Sequence, residues 1–227
     1  MKIDFTRRQT LTAIGAAALV GATPNMSFAM TEHNATVLVD RLVADINKVI
    51  GSSKSETAMY KEFERIFARY ADVPTIATYA LGADGRSATA SQKREFTTVF
   101  QRYISVKYGK RFREFVGGKI EVQGARKVKN FIEVKTLAHL RGEAPFEVVF
   151  LVSDRSGKDK FFNLFIEGIN MLLTERTEIG SMLDKRRGNI DAVIADLRAA
   201  SLASISRLIF RLNEKAPCGA FFDLGLV

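Results

Sequence analysis

The chain has 227 residues, 47% hydrophobic and 26% charged, an ordinary globular composition that excludes a disordered or fibrous protein. Its formal charge is +9; it has one cysteine, Cys218, so no internal disulfide can form, and two histidines, His33 and His139, too few for a common zinc site. No Gly-x-Ser-x-Gly elbow, phosphate loop or dinucleotide fingerprint is present, so neither hydrolase nor nucleotide chemistry is signalled.

At the N-terminus, Arg7-Arg8 precede an uncharged stretch from Ala13 to Phe28, and Ser27-Phe28-Ala29 places small residues at the −3 and −1 positions of a cleavage site. This is the layout of a secretory signal. The paired arginines resemble the bacterial twin-arginine signal, whose pathway exports folded proteins, and an ordinary secretory signal is the alternative. Both predict export and a mature chain starting at Met30, with residues 30–206 as a single domain able to bury about 70% of its unfolded surface. Segment 1–29 carries +2 of the +9, leaving +7 on the mature chain. Outside the cytoplasm that charge points to an anionic membrane surface or an acidic protein partner, not to nucleic acid; a basic surface that is merely well solvated is the alternative. The mature chain has no apolar run near 18 residues and is expected to be soluble.

The next elements read as helices. Val37, Leu38, Leu42, Ile46, Val49 and Ile50 form one apolar stripe, ended by Gly51. Ser53 with Glu56 fits a capping box for a second helix, whose buried face is Met59, Phe63, Ile66, Phe67 and Tyr70. Val73-Pro74 opens a short third helix that stops near Gly82. Thr89 and Gln92 form a second capping box, leading into a long helix with Phe96, Val99, Phe100, Tyr103 and Ile104 on one stripe and Lys93, Arg94, Arg102 and Lys107 off it.

After Gly117-Gly118 the period changes from 3.6 to 2. Ile120 and Val122, then Ile132, Val134 and Thr136, then Phe146, Val148, Phe150 and Val152, then Phe162, Leu164 and Ile166 mark four strands, the last two joined by a polar turn at residues 154–159. Helical pattern returns from Ile169 to Met182 and again after Asn189, with Ile190, Val193, Ile194 and Leu197 on one face. The result is an α+β arrangement. Strands three and four are apolar on both sides, through Val149, Leu151, Phe161 and Phe165, which predicts that both sheet faces are covered. Glu175 and Glu178 lie one helical turn apart and read as a solvated face, because an acid–base pair would need a pocket and split pKa values.

Two stretches resemble the MlaC family, the toluene-tolerance-type periplasmic proteins of the Mla lipid-transport system. Leu81-Gly82 followed by Arg86-Ser87-Ala88-Thr89 and the helix with Phe96 and Phe100 resembles its "LG…R-T-A-T-x-x-Q" opening. Phe162 to Asn170, followed by Arg176, resembles its strand-to-helix "D-x-x-x-E-G-x-S…Y-R" stretch. Asn163 replaces the family's Asp, Asn170 its Ser and Glu175 its Tyr, and the similarity spans Asn34 to Ala200. Residues 207–227, ending Phe221-Phe222-Asp223-Leu224-Gly225-Leu226-Val227, extend past the family pattern as a tail of unknown role.

The resemblance implies a nuclear-transport-factor-like cone, with N-terminal helices packed on a curled antiparallel four-stranded sheet, C-terminal helices and an apolar cavity. It implies a periplasmic carrier, without catalytic residues, cofactor or metal, that shuttles phospholipid between an inner-membrane ABC transporter complex and an outer-membrane lipoprotein complex through transient membrane contact. A hopanoid or other apolar ligand is an alternative cargo. The expected cavity lining is Phe100, Tyr103, Ile120, Val122, Ile132, Val134, Val148, Phe150, Leu164 and Ile166, although a one-residue register error would turn every strand residue to the other face. Arg94, Arg102, Lys107, Lys110 and Arg111 are the expected docking residues, with Lys93 and Arg113 nearby. Two other readings stay open: an enzyme on the same fold using Tyr103, Tyr108 or Glu167, and an adaptor whose apolar residues are all core.

Overall fold

The computed structural model describes residues 30–52, 54–109, 118–140 and 142–214. The expected leader 1–29, Ser53, the stretch holding Lys110, Arg111 and Arg113, and the chain beyond 214 lie outside the described residues. Met30, the expected first residue of the mature chain, is buried, and its N–H donates to the Asp154 carboxylate at 3.1 Å.

Helix α1 (Glu32–Ile50) is capped by Thr31, whose hydroxyl accepts the Asn34 N–H. Helix α2 (Glu56–Tyr70) is capped by Ser55, which accepts the Ala58 N–H, so the cap falls two residues after the Ser53 expected from the sequence. The sequence offers serines at 52, 53 and 55, and only the last stands directly before the helix. Helix α3 (Val73–Leu81) has Pro74 in its first turn and Asp72 as its cap. Helix α4 (Ala90–Gly109) opens on a reciprocal capping box: the Gln92 carboxamide oxygen accepts the Thr89 N–H at 3.0 Å, and the Thr89 hydroxyl accepts the Gln92 N–H at 3.1 Å.

Five antiparallel strands follow in sequential order: β1 (Lys119–Val128), β2 (Phe131–His139), β3 (Phe146–Ser153), β4 (Lys160–Ile166) and β5 (Ile169–Asn170). The fifth corrects the expected four. Glu167 and Gly168, both at positive φ, turn the chain so that Ile169 and Asn170 pair back onto Ile166 and Phe165. Two residues carry no period, so Ile169 reads as the start of a helix; helix α5 (Met171–Lys185) begins two residues later, with Asn170 as its cap. Helix α6 (Ile190–Glu214) runs past the expected domain end at 206. Among the described residues these six helices and five strands agree with the α+β class expected from the periods.

Register decides which residues share a face. Val134, Phe150 and Leu164 pair across β2, β3 and β4, and Thr136, Val148 and Ile166 do the same beside them. Bulges at Val122/Gly124 and Leu151/Val152 interrupt the alternation and bend the strands. Helix α1 packs on β1 and β2, and α3 and α5 on β4. Within the helical layer α4 packs against α2 and α6, with its Phe96 and Phe100 rings fully buried and stacked, centroids 5.5 Å apart.

The opposite face matches the expectation of two covered faces only in part: Leu151 and its pair Asn163 are buried there. Lys135, Val149 and Phe165 pair there; Lys135 is exposed and bonded to Glu147 at 2.9 Å, while Val149 and Phe165 are half-buried. Neighbours on that face shield one another, and Phe131 meets Phe162 edge-on at 5.9 Å.

The two stretches quoted for the family resemblance meet in space. Gly82 ends α3 at φ +60°, and a Cβ there would come within 3.2 Å of the Arg176 guanidinium. Arg176 lies over the Tyr79 ring, 4.9 Å from its centroid, and donates to the Tyr79 carbonyl. The glycine supplies both the left-handed turn and the space for the arginine.

Candidate functional site

A cavity of about 560 Å³ lies between the sheet and helices α1, α2, α4 and α5, within the ~300–1,000 Å³ range usual for ligand sites. Its deep wall is apolar: Leu42 and Ile46 of α1, Phe63, Ile66 and Phe67 of α2, and Phe150 and Phe161 of the sheet. Phe161 organises this end, meeting Phe150 edge-on at 5.6 Å and Phe67 at 6.2 Å. The exposed lining residues, Glu143, Ala144 and Glu167, mark the mouth.

Of the expected lining residues, Phe100, Ile120, Val148, Phe150, Leu164 and Ile166 lie on this cavity, and Tyr103, Val122, Ile132 and Val134 do not. Ile132 and Val134 share the sheet face of Val148 and Phe150, but α1 packs on β1 and β2 there and seals them, at 2% and 0% exposure. Val122 sits half-buried beside the β1 bulge. Tyr103 lies one step round α4 from Phe100 and turns to α5, donating its hydroxyl to Glu178. The sequence reading missed the α2 wall, because an apolar helix stripe does not show whether it meets solid packing or an empty volume.

Glu175 corrects a further expectation. It is not part of a solvated face: it is 4% exposed and lines the cavity. Lys107 donates to its Oε1 at 2.8 Å and Tyr108 donates to the same oxygen, while Lys107 also bonds Glu178. The Lys107 ammonium stands 5.6 Å and 5.4 Å from the Tyr103 and Tyr108 ring centroids. Burial raises both tyrosine pKa values, and the adjoining carboxylates raise them further, so both hydroxyls stay protonated. Burial pushes the Glu178 carboxyl up, but hydrogen bonds from Lys107 and Tyr103 outweigh it and hold it below the usual carboxylate value. Burial disfavours the Lys107 ammonium, and its bonds to Glu175 and Glu178 reverse that and raise its pKa. The family tyrosine replaced by Glu175 was the signal in the sequence.

The same contacts revise the docking residues. Lys107 is engaged by α5, and Arg102 is paired with Glu64 of α2, so neither is a free outward cation; α4 is covered on that side by its neighbours. Arg94 is exposed. Lys110 and Arg111 fall outside the described residues. Of the residues named for an enzyme, Tyr108 and Glu167 line the cavity and Tyr103 does not. His139 ends β2 half-buried, 3.4 Å from the Glu121 carboxylate but off the hydrogen-bonding direction. Among the described residues no group of His, Cys, Asp and Glu could hold a metal ion, and no helix is long and apolar enough to cross a membrane.

Among solved structures, the fold is similar to that of the phospholipid-binding protein from Ralstonia solanacearum, determined in complex with a phospholipid, with a TM-score of 0.65, 16% sequence identity, and coverage of 75% of this chain and 98% of that one. No curated protein matches the sequence. The family model for MlaC protein matches residues 37–199, from α1 to α6 and across the whole sheet, and the chain therefore belongs to the MlaC family.

Proposed function

We propose that this protein is a periplasmic lipid carrier, holding acyl chains in the cavity between sheet and helices and moving phospholipid between an inner-membrane transporter complex and an outer-membrane lipoprotein complex. The observation that carries this reading is an apolar cavity of about 560 Å³ that opens beside charged residues. Each methylene withdrawn from water contributes about 0.8 kcal/mol, so acyl chains need such a shield to cross an aqueous space at a useful rate. A cavity close in energy to a bilayer leaves the direction of transfer to the membrane complexes. Membership of the MlaC family supports the reading, as does the phospholipid bound to the similar Ralstonia protein. Within it, Phe100, Ile120, Val148, Phe150, Leu164 and Ile166 contact acyl chains. Arg94 and the other exposed cations speed encounter with an acidic partner or an anionic membrane, an effect that salt weakens.

Native mass spectrometry of freshly purified protein should show a phospholipid bound to each molecule, and the loaded protein should pass it to acceptor vesicles. Protein that stays empty after incubation with lipid would sink the carrier and favour an adaptor.

The leader reading belongs to the same proposal. Replacing both Arg7 and Arg8 by lysine should abolish export through the twin-arginine pathway while leaving the apolar stretch from Ala13 intact. Unchanged periplasmic yield would make it an ordinary secretory signal.

A further inference from the structure

We propose that the folded domain carries a binding site for the α-ammonium that leader cleavage creates at Met30, with Asp154 as its carboxylate; this rests on the leader part of the proposed function and not on the cargo. Met30 directly follows the expected cut after Ala29. Its side chain is buried in the core, so the chain is fixed one residue from that cut. Its nitrogen stands 3.1 Å from Oδ2 of Asp154, in the turn between β3 and β4. In the precursor this nitrogen is a neutral amide with a single N–H. After cleavage the same atom is an ammonium with three N–H donors and a full positive charge, so the bond to Asp154 becomes a charge-assisted one.

The charged groups around Met30 favour that cation. Asp159 closes the same turn half-buried; burial raises its carboxyl, and the nearby Asp154 charge raises it further. Among the described residues neither aspartate has an ion pair. Arg155 and Lys158 of the turn, and Lys127 and Lys129 of the β1–β2 hairpin at the same end of the sheet, are exposed and pair with neither. Lys160 is engaged by the Arg69 carbonyl at the end of α2, and Arg126 by Glu133. The positive end of the α1 dipole opposes a cation at Met30, and Glu32 in its first turn, whose carboxylate accepts the Lys127 N–H at 2.7 Å, offsets it. The cut thus adds an ion pair that the precursor cannot form. An ammonium held in this way titrates above the ordinary α-amino range of about 7.7–8.0. Its contribution to stability is present below that range and lost as pH rises through the folded value.

The test expresses the full chain in a bacterium that exports it, purifies the exported protein and reads its mass. The rate of α-amine acetylation by acetic anhydride is then followed against pH on the N-terminal peptide, for this protein and for Asp154→Asn. The mass should correspond to a chain beginning at Met30. The midpoint of the profile should lie about one pH unit above the ordinary α-amino range, and Asp154→Asn should return it to that range. The midpoint separates charge from mere burial, which slows the reaction at every pH and moves the midpoint down. A mass that begins at another residue would overturn the inference together with the cleavage position. A start at Met30 with a midpoint in or below the ordinary range would overturn the inference alone and leave the leader reading standing. A raised midpoint that Asp154→Asn does not move would overturn the assignment to Asp154. The unmutated protein already decides whether the ammonium is held, so the test survives an Asn variant that fails to fold.

Discussion

Lys107→Met should cost the fold about 3 kcal/mol, the low end of the cost of unpairing a buried charge, because the lysine keeps 28% of its side chain exposed while Glu175 keeps 6%. The variant leaves Glu175 charged in an apolar cavity with one tyrosine hydroxyl as its remaining partner. The double variant Lys107→Met with Glu175→Met should be more stable than Lys107→Met alone, because it removes the stranded charge with its partner. Urea unfolding of the four proteins of this cycle measures the coupling. The pH dependence has a definite sign. Glu178 is held below its ordinary 4.5, so its contribution is present at neutral pH and lost as pH falls through the folded value. Lys107 is raised above its ordinary 10.5, so its contribution is present at neutral pH and lost as pH rises through the folded value. The penalty for Lys107→Met should therefore be largest around neutrality and shrink in acid, as the contribution of Glu178 is lost. A penalty below ~1 kcal/mol at pH 7 would mean that the cluster behaves as a hydrated surface pair.

How far the sequence was legible follows from what periodicity encodes. Period and capping located four of the strands and the helices, since Thr89 with Gln92, or Ile132 with Val134, are local signals that tertiary packing leaves in place. β5 escaped because its pairing depends on the positive φ of Glu167, which no apolar pattern announces. The cavity was half legible. Alternation grouped Val148, Phe150, Leu164 and Ile166, but not Phe161, which the bulge at Leu151/Val152 turns to the Phe150 ring, and nothing local distinguishes Val134, sealed by α1, from Leu164, which borders open volume. The polar cluster was least legible. Lys107, Glu175 and Glu178 each fit a solvated helix face, and only the packing of α5 beside α4 turns them toward one another.

Two aspartates placed on that same sheet face should therefore fail in different ways. Val134 and Leu164 both align with Phe150, one strand to either side. Val134 is wholly buried under α1, so Val134→Asp forces a carboxylate into solid packing with no partner, at a cost on the order of 4 kcal/mol or more. Against a typical total stability of ~5–15 kcal/mol, much of that protein should be unfolded or aggregated at 37 °C. Leu164 is half-buried and borders the cavity, where water can reach an aspartate whenever no lipid is present. Leu164→Asp should keep the cooperative melting transition, lowered by a few degrees, and lose most of its bound lipid, since the charge must be dehydrated each time an acyl chain enters. Circular dichroism melting and native mass spectrometry on both variants separate the outcomes. A well-folded Leu164→Asp protein with undiminished lipid would place the acyl chains elsewhere. A well-folded Val134→Asp protein would mean that α1 yields, and that the cavity can extend beneath it along β2 when a ligand is bound.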